Sequence, residues 1–211
     1  MTAHTLSHGM LIVIEGIDGV GKTTLVQRLH ARLLDRGLKS LCSKEPTRGY
    51  WGNKLREASR VQRLPIEREM EFLLNDRHEH VEQIIAPALQ DGYVVLLDRY
   101  YPSMIAYQGA AGLSVADLLQ ANAFAPAPDI LFILDLDPYR SLERIHARGD
   151  QPDSFENVDN LQRCRDIFLS LRLPGTYVLD ASLPIDAVYE LAWQHLAARI
   201  ISRMKAPSLS I

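Results

Sequence analysis

The sequence predicts a doubly wound α/β domain with a five-stranded parallel sheet flanked by helices. Five short, largely apolar runs occur: Met10–Ile14, Leu38–Ser43, Tyr93–Leu97, Ile130–Leu134 and Tyr177–Leu179. Strands apolar on both faces belong to a sheet that is covered on both sides. Longer helical stretches separate these runs, as right-handed crossovers between parallel strands require. The residues able to do chemistry fall just beyond the ends of the runs, where such sheets bind ligands.

Met10-Leu-Ile-Val-Ile14 runs into a glycine-bearing turn and reads as a buried strand. A helix is expected over about residues 22–35, stopped by Gly37, before the second strand at Leu38–Ser43. Pro65 opens and Asp91-Gly92 closes a long helix over 65–89. Tyr93–Leu97, the third strand, leads into Asp98-Arg99. Shorter helices are expected between Ala106 and Phe124, broken at Gly109 and Gly112. The fourth strand, Ile130–Leu134, reaches Asp135 and Asp137. Helices over 139–147 and 159–171, a short strand at 177–179 and a helix over 185–204 complete the chain.

The 211 residues, 47% of them hydrophobic and 23% charged, suit one globular domain and exclude a disordered chain. Lys and Arg number 23 against 26 Asp and Glu, a net charge of −3, so no general positive field points to nucleic acid. The two cysteines, Cys42 and Cys164, form no C-x-x-C, which speaks against a disulfide framework and for a reducing compartment. No apolar run approaches the ~20 residues of a membrane span, and Met1–Gly9 has no signal-peptide pattern. A cytoplasmic protein without a membrane partner is expected. Residues 1–9 read as a flexible extension, 10–204 as a single domain with a short lid at about 149–156, and 205–211 as a tail.

Gly16-Ile17-Asp18-Gly19-Val20-Gly21-Lys22-Thr23 matches G-x-x-x-x-G-K-[ST] at every defined position, directly between a strand and a helix. Glycines there let backbone N–H groups converge on phosphates at a helix N-terminus. Lys22 is placed to reach the β- and γ-phosphates and the Thr23 hydroxyl to bind Mg²⁺. The expected fold is therefore that of a phosphate-loop NTPase. A GTPase is disfavoured, because the only Asn-Lys, Asn53-Lys54, is followed by Leu55-Arg56 instead of x-Asp. Cations instead gather at strand ends and turns (Lys44, Arg48, Arg56, Arg99, Arg144 and Arg148), with Arg77 mid-helix. Their placement suggests a second phosphorylated ligand beside the first.

Further matches accompany the loop. Glu45-Pro46 is followed by Gly52-Asn-Lys-Leu-Arg56, and Asp76-Arg77 lies in the long helix. Asp98-Arg99-Tyr100 precedes Ala106-Tyr-Gln-Gly109, and Asp135-Leu-Asp-Pro138, Arg148-Gly149, Phe155-Glu156 and Asp180-Ala181 follow. With these the chain resembles the thymidylate kinase family of nucleoside monophosphate kinases, from Ile12 to about Ala187. The resemblance implies phosphorylation of dTMP to dTDP with ATP and Mg²⁺, in a homodimer. It also implies roles. Asp18 would meet the sugar 3′-hydroxyl, and Arg56 and Arg99 would grip the acceptor phosphate, oriented by Asp98. Arg77 would bond the thymine edge, and Pro46, Leu73, Ser103, Tyr107 and Gln108 would line the acceptor pocket, with Tyr107 excluding a ribose 2′-hydroxyl. The loop from Gly16 to Thr24 and Arg144 would hold ATP, with Arg148 over the adenine and Asp180 and Ala181 as its opposite rim, and Arg148 or Arg144 standing in for the absent lid cation. Thr23 and Asp98 would serve Mg²⁺, and Lys22, Arg99, Asp18 and Arg148 form the catalytic set.

The chain departs from the family pattern in three places. Leu73 stands where Phe is frequent, the lid core Asp150–Ser154 has no cation, and Lys44 replaces Arg before Glu-Pro. Two alternatives stay open: a kinase for another pyrimidine monophosphate such as dUMP or dCMP, and a catalytically weak nucleotide-binding module. His78 and His80, two apart on a helix, face different sides and read as solvated. Trp51 and Trp193 read as packing residues.

Overall fold

The computed structural model describes residue 6 and residues 8–61, 64–147, 149 and 157–205. Arg148, residues 150–156 of the expected lid, and parts of both termini (1–5, 7 and 206–211) lie outside the described residues.

The five strands are β1 (Met10–Glu15), β2 (Ser40–Lys44), β3 (Val94–Asp98), β4 (Ile130–Asp135) and β5 (Thr176–Asp180). They form one parallel sheet in the order β2-β3-β1-β4-β5. The expected α/β architecture is therefore present. β1 and β3 are buried along their whole length and β4 up to its last residue, whereas the edge strands β2 and β5 are partly open. An edge strand has a neighbour on one side only, so its side chains are less completely covered.

Helix α1 (Lys22–Asp35) packs on β1, β2 and β3 and on the closing helix α9 (Ile185–Lys205). Between α1 and α9 run alternating cations and rings: Arg28 and Arg32 face Tyr189, and Arg32 and Arg36 face Trp193, at 4.4–5.3 Å. Helix α2 (Tyr50–Val61) falls in a stretch where the sequence suggests no element. Its cue is the spacing of Trp51, Leu55 and Ala58, one apolar stripe; Leu55 is buried and Trp51 lies 5.4 Å from the Phe72 ring.

The long helix is present but not uniform. Helix α3 (Ile66–His80) widens into a π-helical turn at Val81–Ile85 and ends as α4 (Ala86–Gln90). Pro87 lacks an N–H and its ring crowds the preceding turn, which the wider turn accommodates. Helix α5 (Tyr101–Ala110) starts earlier than expected and passes through Gly109, so the break comes after it, before α6 (Val115–Ala121). Gly109 serves close packing: a Cβ there would meet Ile167 at 3.0 Å, on α8 (Val158–Ser170). Helix α7 (Pro138–Ala147) completes the set.

Candidate active site

β1 delivers its C-terminus into the glycine loop and α1 begins at Lys22, so the loop sits above the middle of the sheet. Gly16 has φ 133°, and a Cβ there would lie 2.5 Å from the Leu134 carbonyl oxygen. Only glycine fits that approach. Ser141, buried on α7, donates its hydroxyl to the Asp18 carbonyl and fixes the loop from the other side. Lys22 folds back over the loop, its Nζ donating to the carbonyls of Gly16 at 2.9 Å and Ile17 at 2.7 Å. Burial and the Arg99 charge push the Lys22 ammonium down to about 8, against the pull of Asp18, Asp98 and Glu15. A phosphate at the loop would favour its charged form.

Thr23 and Asp98 meet directly: the Thr23 hydroxyl donates to Asp98 Oδ2, and Lys44 Nζ lies 3.5 Å from the same oxygen. Parallel register sets this junction, since Asp98 pairs with Ile14 of β1 and with Lys44 of β2. The other Asp98 oxygen, Oδ1, is buried and accepts no hydrogen bond among the described residues. A carboxylate oxygen with spare acceptor capacity beside a threonine hydroxyl is a donor set for a hard cation such as Mg²⁺.

Asp18 ties the loop to the acceptor side. Its Oδ1 accepts from Arg99 Nη2, and its Oδ2 accepts from the Tyr107 hydroxyl at 2.6 Å. Burial raises the Asp18 carboxyl, but the Arg99 and Lys22 charges and the Tyr107 hydrogen bond outweigh it, holding the group well below the usual carboxylate range. Burial likewise drives the Tyr107 hydroxyl well above its usual value, so it stays a donor.

Arg99 is itself braced from below. Its Nη1 donates to Ser103 Oγ at 3.1 Å, and that hydroxyl donates to Glu15 Oε2 at 2.6 Å. Glu15 Oε1 accepts from the backbone N–H groups of Tyr100 (2.7 Å) and Ser103 (3.1 Å), capping the start of α5. Burial pushes the Glu15 carboxyl up to about 7 in spite of these bonds and the charges of Arg99 and Lys22. Sequence reasoning gave Glu15 no role; its signal is a lone carboxylate in the otherwise apolar run Met10–Glu15.

Four spaces adjoin this cluster. A cavity of about 180 Å³ is lined by Pro46, Leu73, Arg77, Arg99, Tyr100, Ser103, Met104, Tyr107 and Gln108, among others. Leu73 faces it, while Phe72 turns away to pack near Trp51, as the 100° step of a helix requires. A second space, also about 180 Å³, lies between Asp18, Lys22, Thr23, Lys44, Asp98 and Arg99. A third, about 400 Å³, is bounded by Gly19, Val20, Gly21, Thr24, Arg144 and Ala181. Arg144 Nη2 donates to the Ala181 carbonyl at 3.0 Å, and the exposed Asp180 carboxylate accepts from Ser182 N at 2.8 Å.

Arg56 takes a different position from Arg99. It donates to the carbonyls of Pro46 at 3.1 Å and Thr47 and lines a fourth space of about 780 Å³ with Lys44, Arg48 and Asp98. Asp98 shares that space but contacts Thr23 and Lys44, and no contact joins it to Arg99 or Arg56 among the described side chains. Asp98 thus stands beside Thr23. His80 departs from expectation. It is 3% exposed, with Nδ1 3.0 Å from Glu45 Oε1, whereas His78 is exposed and stacks on Phe124 at 3.4 Å. His80 lies three residues beyond Arg77, and so on the same buried face.

Comparisons with known proteins agree with this geometry. The family model described as thymidylate kinase matches residues 14–192. A thymidylate kinase of Xanthomonas oryzae pv. oryzae (strain PXO99A) is 53% identical over 204 residues, covering 97% of this chain and 90% of that protein. Another, from Xanthomonas campestris pv. campestris (strain B100), is 52% identical over 205 residues, with the same coverage. A third, from Xylella fastidiosa (strain M12), is 53% identical over 184 residues, 87% of this chain and 85% of its own length. With a phosphate loop, a Thr23–Asp98 junction and an arginine-floored cavity at the C-terminal end of the sheet, and with these matches over nearly its full length, the chain belongs to the thymidylate kinase family.

Proposed function

We propose that this enzyme transfers the γ-phosphoryl group of ATP to the 5′-phosphate of dTMP, with ATP on the Gly16–Thr24 loop and dTMP in the cavity floored by Arg77. The observation that carries this reading is the Asp18–Arg99–Tyr107 cluster, in which one residue of the phosphate loop holds the arginine of the acceptor cavity. Donor and acceptor sites are thereby fixed to each other within one hydrogen-bonded unit.

The acceptor phosphate has a second pKa near 6 and is mostly a dianion at pH 7, so no general base is needed. The difficulty is bringing it to the polyanionic ATP, and phosphoryl transfer is met chiefly by positioning and charge. Arg99, and Arg56 from the adjoining space, supply cations to the acceptor. Lys22 leaves its loop carbonyls for the β- and γ-phosphates. Thr23 and Asp98 would hold Mg²⁺, which when bound would neutralise phosphate oxygens. Asp18 receives the sugar 3′-hydroxyl, Tyr107 blocks a 2′-hydroxyl, and Leu73 and Met104 give the base apolar walls. Arg144, bonded to the Ala181 carbonyl, lines the ATP side with Asp180 at its rim, and Arg148, expected over the adenine, lies outside the described residues. No helix among the described residues is long and apolar enough to cross a membrane; a cytoplasmic homodimer is the setting that the family resemblance supports.

The test is ADP release with MgATP across dTMP, dUMP, dCMP, dGMP, UMP and CMP. Dominant turnover with dTMP is expected. Dominant turnover with another acceptor would reassign the base pocket, and none with any acceptor, despite ATP binding, would overturn the kinase reading.

A further inference from the structure

We infer that His80 is a positioning residue for base recognition: acting through Glu45, it aims the Arg77 guanidinium at the base. The inference rests on the reading of Arg77 as the residue that meets the base edge.

A buried chain of polar groups supports it. Ser43 Oγ lies 2.8 Å from His80 Nε2, and His80 Nδ1 lies 3.0 Å from Glu45 Oε1. Glu45 Oε2 accepts from Arg77 Nε at 2.9 Å and pairs with the Nη2 charge at 2.7 Å. Arg77 Nη1 donates to Asn122 Oδ1. Glu45, Arg77, His80 and Asn122 are each no more than 3% exposed. A carboxylate offers only acceptors, so a His80 proton sits on Nδ1 toward Glu45, while Nε2 lies against the Ser43 hydroxyl.

Arg77 alone does not fix its own direction. Glu45 grips one edge of the guanidinium and Asn122 another, and the Tyr100 ring lies 5.5 Å from its centre. Glu45 in turn follows the β2 edge and has one oxygen on His80 and the other on Arg77. Without the His80 proton, Oε1 would be buried with nothing to hold its orientation, and the carboxylate could rotate with Arg77 attached. The guanidinium presents only donors, which suits the 4-oxo group of thymine and opposes the 4-amino group of cytosine. Uracil shares the 4-oxo group, so this device cannot separate dTMP from dUMP.

That asymmetry supplies the test. His80→Phe, assayed with dTMP, dCMP and dUMP, should lower the preference for dTMP over dCMP in kcat/KM by about tenfold or more, as misplacement of a recognition group does. The dTMP KM should rise while the ATP KM and the dTMP-to-dUMP ratio stay unchanged. His80→Asn keeps an N–H where Nδ1 stood and should restore most of the preference. His80→Gln puts its amide at the Nε2 position and should not, so this pair decides the matter if His80→Phe fails to fold. A folded His80→Phe with unchanged dTMP-to-dCMP preference, or an equal loss for all three acceptors, would overturn the inference. Arg77→Lys separates the underlying reading: unchanged preference there means that Arg77 itself does not read the base.

Discussion

Arg99 holds the left-handed backbone conformation, with φ 74°, although it is not glycine. That conformation costs an L-residue roughly 1–2 kcal/mol, and it turns the chain sharply from β3 into α5 so that the guanidinium meets Asp18. The side chain and the strain can be separated by substitution. Arg99→Ala keeps the strain and Arg99→Gly relieves it, so the Gly variant should unfold about 1 kcal/mol later than the Ala variant in urea. Both should lose acceptor turnover strongly and retain ATP affinity; lost ATP affinity with unchanged acceptor kinetics would refute the assignment. Glu15, beneath Arg99, gives a signature in pH. Its carboxyl is raised from 4.5 to about 7, so the folded state binds the extra proton between those values. The contribution to stability is present below about pH 4.5 and is lost as pH rises toward 7. Melting temperatures of the wild type and Glu15→Gln, compared from pH 5 to 8, should show the wild type losing ground with rising pH and the difference levelling above about 7.

At the scale of elements, the site depends on helices whose ends are fixed by distant partners. α5 is capped by Glu15 from β1, and α1 is clamped to α9 by the rings of Tyr189 and Trp193. Trp193 is 7% exposed, so Trp193→Ala removes a large buried ring and should cost about 3–5 kcal/mol, read as a lower urea midpoint with an unchanged slope. Because α1 carries Lys22 and Thr23, a looser α9 should also weaken ATP binding more than acceptor binding.

Across the whole molecule, the C-terminal end of the sheet gathers the phosphate loop, the Thr23–Asp98 pair and the Arg77-floored cavity, so ligands should tighten the entire domain. MgATP at 100 times its dissociation constant adds about 2.7 kcal/mol, equivalent to roughly 5–10 °C in melting temperature for a domain of this size. Lys22→Ala should fold, with a melting temperature near that of the wild type without ligand, yet lose both this shift and turnover. A Lys22→Ala protein that still turns over would refute the role given to the loop lysine.

The α/β class, the phosphate loop and the position of Asp98-Arg99 were all legible, because each is encoded locally: an apolar run, then a turn, then functional residues within a few positions. Gly109 misled, since a glycine chosen for close helix packing looks the same as one that ends a helix. His80 misled for a related reason, because its neighbour His78 is exposed and only the buried face of α3 distinguishes the two. By itself the sequence determined the strand order's raw material, the chemistry at the strand ends and the family. Only the tertiary structure decided that Asp98 meets Thr23 directly, that Glu15 braces Arg99 through Ser103, and that Arg77 is held by Glu45 and Asn122. The long-range hydrogen bonds among these contacts join residues 32 to 88 positions apart along the chain, and buried polar groups at such separations find one another only through packing, where each must be satisfied.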